Sequence, residues 1–402
     1  MPKKVLYIGV GNPIQPSSGM DVVLREHILE LIQCRDIELR GIIVEPGVAG
    51  AISSAKSNQW PNFTIHTGDL QREAGGASRV IKKLKSVLFN CAPLAAYAFQ
   101  CDAAKREIST EISKPYDLVI IDHLLALCNI PFSSLLALKY KIILIAHDAM
   151  PLYLLGTSKL KTNILAKLFL YGDAIKAWIV EAILVKHSAL TVFLSRYDEQ
   201  FYGWLRAKTL SLCPILTERQ SHDNRDRGHA KPYITFVGGT GFLPNKAALE
   251  WIINHLSPAL AALDASISIM LVGKGSADLP NANKHNIRHI GFVSDEQLSE
   301  LLREGLAVIS PVVHGGGIKI KVLEAVMAGS PIVATAESLR GFEFLDIVPT
   351  IKLDNPEAAA QAIVRLKNDP AQQEAMRQHI ISKWDEYCAA NSNQLTKQVL
   401  AA

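Results

Sequence analysis

The stretch Ser310 to Thr335 reads Ser-Pro-Val-Val-His-Gly-Gly-Gly-Ile-Lys-Ile-Lys-Val-Leu-Glu-Ala-Val-Met-Ala-Gly-Ser-Pro-Ile-Val-Ala-Thr, and it leaves the chain few folds to choose from. An apolar run, Leu306 to Ile309, leads into it; Gly315, Gly316 and Gly317 interrupt the pattern, and Ile320 to Ala328 resumes with helical spacing. Gly329 is the residue type best able to turn left-handed at a helix end, Pro331 forbids further helix, and Ile332-Val333-Ala334 begins a strand. Strand, glycine loop, helix and strand make the unit from which parallel sheets are built. The loop is also a ready anion site, because unpaired backbone N–H groups and the helix dipole point the same way. Lys319 and Lys321 fall in the first turn of the helix, where they oppose the dipole. A bound phosphate is one reason to put cations there.

The same unit recurs along the chain. Val5 to Val10 has the continuous apolar character of a strand buried on both faces, Gly11 to Gly19 is a loop rich in Gly, Pro and Ser, and Asp21 to Cys34 has helical period. Further strands are expected at Leu39 to Val44, Leu118 to Ile121, Ile142 to Ile145 and Thr191 to Ser195, with helix-forming stretches such as Gly76 to Phe89 between them. Residues Thr217 to Lys231 are nearly free of large apolar groups and read as a linker. Beyond it the pattern restarts: Tyr233 to Val237 with Gly238-Gly239-Thr240-Gly241, the helical stretch Asn245 to His255, Ile267 to Val272 with Gly273-Lys274-Gly275, Ile287 to Val293, and a helix Asp295 to Glu304 capped by Ser294. Gln373 to Ala402 could form one long terminal helix. The expected architecture is α/β, with two Rossmann-like domains facing each other across a cleft: residues 1–216, a linker at 217–231, residues 232–380, and a terminal helix at 381–402 crossing back to the first domain. Neither half has a Gly-x-Gly-x-x-Gly fingerprint; Gly9-Val10-Gly11-Asn12 is followed by Pro13, which speaks against a dehydrogenase.

Composition narrows the class of partner. A formal charge of +4, from 42 basic and 38 acidic residues, is too mild to indicate nucleic acid. Six cysteines without a Cys-x-x-Cys pair read as reduced thiols of a cytoplasmic protein. The apolar run after Lys3 and Lys4 is cut short by Gly11-Asn12-Pro13, and no run elsewhere approaches the ~18 residues of a spanning helix.

Asp122-His123 and His147-Asp148 fall at the carboxyl ends of expected strands, where ligands of such sheets bind. A hydrogen-bonded pair that orders a loop is the plainer account of each; strand-end position favours a functional role, more for His147. From Pro151 to Leu190 the chain is aromatic, aliphatic and basic, with five lysines against Asp173 and Glu181. That composition fits peripheral contact with an anionic membrane or a lipid-linked acceptor, and equally helices packed on a sheet with solvated lysines.

Around Gly315 to Glu324 the chain resembles the GT-B retaining glycosyltransferases of group 1, or family 4-like type. These carry Gly-x-Gly-x-x-x-Lys-hydrophobic-Leu-Glu-Ala, then Gly-x-Pro-hydrophobic-Val-Ala-Thr. The likeness extends through Phe236-Val237-Gly238-Gly239 with Pro244-Asn245, through Leu271 to Gly275, and through Gly291 to Asp295. It implies an amino-terminal acceptor domain and a carboxyl-terminal donor domain. The implied activity is metal-independent transfer of a sugar from a nucleotide-diphosphate sugar to a glycan or lipid-linked hydroxyl with retention, as in polysaccharide biosynthesis, with no cofactor. Carried over by residue, Glu324 would hold the ribose hydroxyls, Lys321 and Lys319 the diphosphate, and His147 would sit beside the donor sugar. Gly19, Gly239, Val293, His314, Gly315, Gly316 and Gly317 would approach the donor. Many relatives have a second glutamate eight positions before the first, where this chain has Gly316. Sugar contacts would then fall to the backbone of Gly315 to Gly317 or to His314. A nucleotide-sugar epimerase of the same fold, or an inactive nucleotide-binding scaffold, remain alternatives.

Overall fold

The computed structural model describes residues 1–16, 18–47, 54–56, 60–69, 92–138, 140–216, 230–346 and 348–402. The helix expected over Gly76 to Phe89, and nearly all of the linker expected over 217–231, lie outside these residues. The chain divides into two compact units, one of Met1–Leu216 with Ser392–Ala402, the other of Thr217–Asn391.

The first unit is built on an eight-stranded sheet. Its strands are β1 Lys3–Val10, β2 Ile37–Glu45, β3 Ser54–Lys56, β4 Phe63–Thr67, β5 Leu118–Asp122, β6 Ile142–Ala146, β7 Leu190–Phe193 and β8 Thr209–Ser211, in the order β3-β4-β2-β1-β5-β6-β7-β8. All pairs are parallel except β3 with β4. Alternate residues of the central strands feed opposite cores. Leu6, Ile8, Val119, Ile121 and Leu144 enter one, while Val5, Tyr7, Ile120, Ile143 and Ile145 enter the other. This two-faced burial is why the strands read as unbroken apolar runs. Helix α1, Gly19–Ile32, follows the loop after β1, while α2, Met150–Lys159, and α3, Ile164–His187, fill the connection from β6 to β7.

In the second unit every neighbouring pair is parallel: β9 Lys231–Val237, β10 Ser268–Val272, β11 Ile287–Gly291, β12 Gly305–Ser310 and β13 Ile332–Ala334, ordered β11-β10-β9-β12-β13. Lys231 is thus the first residue of a strand. Helices α4 Leu243–Trp251, α5 Asp295–Glu304 and α6 Ile320–Met327 follow the strand-end loops. Ser294 caps α5 in a reciprocal box with Gln297. Gly329 ends α6 in the left-handed conformation at φ 60°, and Ile381 lies so close that a β-carbon there would be 2.8 Å from it.

The single terminal helix expected from Gln373 is instead two, α7 Pro370–Asn391 and α8 Gln394–Ala401. Asn393 takes a left-handed conformation between them, which breaks the run. Helix α8 packs in the first unit: Leu395 and Val399 join its core, and the Thr396 N–H donates to Glu30 at 2.7 Å.

Candidate functional site

Because nearly all strand pairs are parallel, each unit gathers its strand-end loops along one edge, and the expected site residues belong to these loops or to the helices that follow them. In the second unit three glycine turns lie there side by side. The Gly238 N–H donates to Val272 O at 2.8 Å, Thr240 N–H to Lys274 O at 3.0 Å, and Gly273 N–H to Gly291 O at 2.7 Å. At Gly273, φ is 127° and a β-carbon would stand 2.7 Å from the Gly238 backbone, so two main chains meet where a side chain would part them. Gly239 and Val293 belong to these stitched turns, both half-exposed. Beside Val293, Phe292 presents 76% of its surface to solvent, and Lys274 Nζ stands 5.8 Å from the centre of its ring.

The loop from β12 to α6 is held from behind by hydroxyls. Ser338 Oγ donates to Ser310 O at 2.7 Å and accepts from Val312 N–H at 3.3 Å, and Thr335 Oγ1 donates to Val312 O. From that fixed exit His314 to Gly317 turn with positive φ at Gly315, 115°, and at Gly317, 59°. Gly316 lies between them, outside the left-handed region. His314, Gly315 and Gly316 are half-exposed, while Gly317 is buried.

Neither Lys319 nor Lys321 is a surface residue: both are buried. Lys319 is the residue before α6 and folds back, donating to Gly316 O at 3.0 Å and Gly317 O at 3.1 Å. It therefore braces the glycine loop as well as charging it. Lys321 points across to α4, where Nζ donates to Asn245 Oδ1, and stands 4.7 Å from the centre of the Phe236 ring. The hydrogen-bond partner of this buried ammonium is a neutral amide. Burial pushes the Lys321 ammonium down to about 7; Lys319 adds to the shift and Glu324 opposes it. Glu324 lies one turn further on α6, half-exposed. Asn245 was not among the expected site residues; its signals in the sequence are its place after Pro244 at the start of a helix and its part in the family likeness, and its contact with Lys321 shows only in the structure.

In the first unit His147 belongs to a cluster centred on Asp122, and the helix that Gly19 opens contributes His27 to it. His147 directly follows β6 and its Nε2 lies 2.5 Å from Asp122 Oδ1; His27, on the helix that Gly19 opens, places Nδ1 2.8 Å from Asp122 Oδ2. Tyr7 donates its hydroxyl to the same Oδ2. All four side chains are buried. Burial alone would raise the Asp122 pKa, but the His147 and His27 charges and their hydrogen bonds outweigh it and hold the carboxyl well below the usual range. An ionised carboxylate only accepts, so Nε2 of His147 and Nδ1 of His27 are the nitrogens that carry protons. This leaves His147 Nδ1 for other partners. The ligand atoms of His27, Asp122 and His147 lie within 4.8 Å of one another, a spacing that could also suit a metal ion. His123 takes a different part. It sits at φ 75°, its Nδ1 accepts from Leu125 N–H, and burial with the nearby His147 lowers its pKa to about 3, so it is neutral.

Gly19 is the first residue of α1, half-exposed and outside the left-handed region, so its use is space rather than a special turn. The loop before it is tied to α1 by Asp21, whose carboxylate accepts from the N–H groups of Asn12 and Ser18.

Comparison with known proteins bears on both edges. Residues 231–369 match the family model described as glycosyl transferases group 1. A phosphatidyl-myo-inositol mannosyltransferase of Propionibacterium freudenreichii subsp. shermanii is 28% identical over 160 residues, which cover 37% of this chain and 38% of that protein. Among solved structures, a UDP-forming α,α-trehalose-phosphate synthase from Burkholderia xenovorans, in complex with glucose-6-phosphate, superposes over all of both chains with a TM-score of 0.61 at 13% identity. Anabaena HepE in complex with UDP and glucose does so over all of both chains with a TM-score of 0.59 at 12% identity.

Proposed function

From the match of residues 231–369 to the glycosyl transferases group 1 model, in a chain of GT-B fold, we propose that the protein transfers a sugar from a nucleoside-diphosphate sugar to a glycan or lipid-linked hydroxyl with retention. The observation that carries this reading is Lys321. A cation buried in the first turn of α6, with a neutral hydrogen-bond partner and its charge disfavoured by burial, gains most when a diphosphate arrives beside it.

In this reading the N–H groups of the glycine loop and the two lysines hold the diphosphate, and Glu324 accepts hydrogen bonds from the ribose. Phe292 offers an exposed ring on which a base can stack. His147, oriented by Asp122, stands at the edge of the first unit as the group for the donor sugar or the acceptor hydroxyl. The bond from the anomeric carbon to the phosphate oxygen breaks as the bond to the acceptor oxygen forms on the same face. The acceptor's proton passes to the departing phosphate oxygen, and a nucleoside diphosphate leaves. The protein's task is to position and to offset charge, and that electrostatic share dominates many such transfers. Supporting this, the HepE structure holds UDP with glucose, so UDP-sugars are the first donors to try. The reaction belongs to polysaccharide assembly in the cytoplasm and needs no metal.

A thermal-shift screen across UDP, GDP, ADP and their sugars identifies the donor, because a ligand bound only by the folded state raises the melting temperature. With that donor, Glu324→Ala is expected to weaken binding and reduce transfer by about 10²-fold or more. Full activity in this variant would remove Glu324 from the site. Product formed from donor without acceptor would replace transfer with epimerisation.

A further inference from the structure

Helix α3 leaves an apolar face uncovered in a way that ordinary helix packing does not explain. Ile164, Leu168, Tyr171, Ile175 and Trp178 follow one another at alternating spacings of four and three, so they form a single stripe, and each exposes at least 40% of its surface. Trp204, 60% exposed in the short helical turn Gly203–Leu205, lies 6.1 Å from Trp178, ring centre to ring centre, and extends the stripe sideways. A contiguous apolar surface of this kind on a water-facing helix signals a partner.

The charges around the stripe say which. Both acids of α3, Asp173 and Glu181, are fully buried on the opposite side. Asp173 accepts from the Leu94 N–H and pairs with Lys176, and Glu181 accepts from Met150 N–H and the Tyr202 hydroxyl. Cations take the exposed positions instead: Lys159 and Lys161 before the helix, Lys186 in its last turn, and Arg206 and Lys208 beyond Trp204. The helix has turned both of its acids inward, with Lys176 paired to one of them, and its outward stripe is apolar with exposed cations near its two ends. At 24 residues it is roughly 36 Å long, and among the described residues no helix is long and apolar enough to cross a membrane. A long helix with an exposed apolar and aromatic stripe and exposed cations gathered near its two ends has the chemistry to lie in the headgroup layer of an anionic bilayer. A second copy of the chain fits less well, because pairing two such faces would bring like charges together.

We propose that α3 with Trp204 is the surface by which this protein docks on an anionic membrane, lying in the plane of the headgroups. The stripe enters the acyl boundary, and the exposed cations near the two ends of the helix meet the phosphates. The proposal stands whether or not the donor site is read correctly, since it concerns a different surface.

Flotation of the full chain with vesicles tests it. Vesicles of phosphatidylcholine with phosphatidylglycerol are expected to carry the protein up the gradient, vesicles of phosphatidylcholine alone to carry far less, and added salt to weaken the binding. The double variant Ile175→Glu with Trp178→Glu is expected to lose about tenfold or more in vesicle binding at an unchanged melting temperature. Wild-type protein that ignores both vesicles overturns the proposal, as does a variant that binds undiminished. If the variant melts well below the wild type, Lys159→Glu with Lys161→Glu replaces it, and undiminished binding there refutes the docking face. A wild-type dimer that the variant disperses, with no vesicle binding, assigns the stripe to a second copy and likewise refutes it.

Discussion

The strand-end edges of the two units deal with charge in opposite ways. In the first unit a buried carboxylate, Asp122, is surrounded by His147, His27 and Tyr7, so the protein satisfies its own ion. At the second edge Lys321 is buried against an amide and an aromatic ring, and burial has drawn down its proton affinity. A self-satisfied cluster can hold a geometry but has little to gain from a visiting ion, whereas an under-satisfied cation gains a great deal. Under the proposed function, the difference gives orientation to the first edge and anion capture to the second.

The largest effect should come from opening the closed cluster. Asp122→Ala leaves His147, His27 and Tyr7 buried without their common acceptor, and is expected to lower the unfolding free energy by about 3–5 kcal/mol, read by urea denaturation. A loss below ~1 kcal/mol would show that Asp122 is not the fixed point of that edge.

Lys321→Met should act the other way round. Transfer is expected to fall by about 10²–10³-fold, yet stability should hold or rise. The sign follows from linkage. The folded-state pKa of Lys321, about 7, is below its unfolded value near ~10.4, so its penalty is fully present below pH 7 and fades as pH rises through that window. The methionine variant should therefore gain more over wild type at pH 6 than at pH 9. An equal difference at the two pH values would mean that the ammonium is not buried as described.

Smaller, and specific to the open edge, is the pH dependence of donor binding. A nucleoside-diphosphate sugar should raise the Lys321 pKa and take up a proton, so its affinity should be level below pH 7 and fall by up to about tenfold per pH unit above it. Calorimetry in buffers of different ionisation enthalpy reads the proton directly. The slope should vanish in Lys321→Met; if it persists, another group titrates.

Much of this was legible in the sequence, for local reasons. Strands buried on both faces declare themselves as apolar runs, as Leu118 to Ile121 and Ile142 to Ile145 do, and glycine or proline marks their ends. Gly329 and Ser294 stand where a left-handed turn and a cap are needed. Short strands such as Phe63–Thr67 and Thr209–Ser211 escaped, since a few residues completing a sheet edge carry too little pattern. The nearness of Lys319, Lys321 and Glu324 was visible because they lie within six consecutive residues at the start of one helix.

What the amino-acid sequence determined by itself, then, is the succession of the long buried strands with their turns and helices and the chemistry placed at their ends, because those depend on neighbours a few residues away. Tertiary structure decided which of those groups are satisfied. Asn245 reaches Lys321 across 76 residues, and His27 reaches Asp122 across 95. Lys319 spends its charge on carbonyl groups of its own loop, and α3 turns its two acids inward and its aromatic stripe outward. Charge and hydrophobicity belong to residues, but burial and pairing belong to the folded chain, and it is burial and pairing that separate a settled ion from one awaiting a ligand.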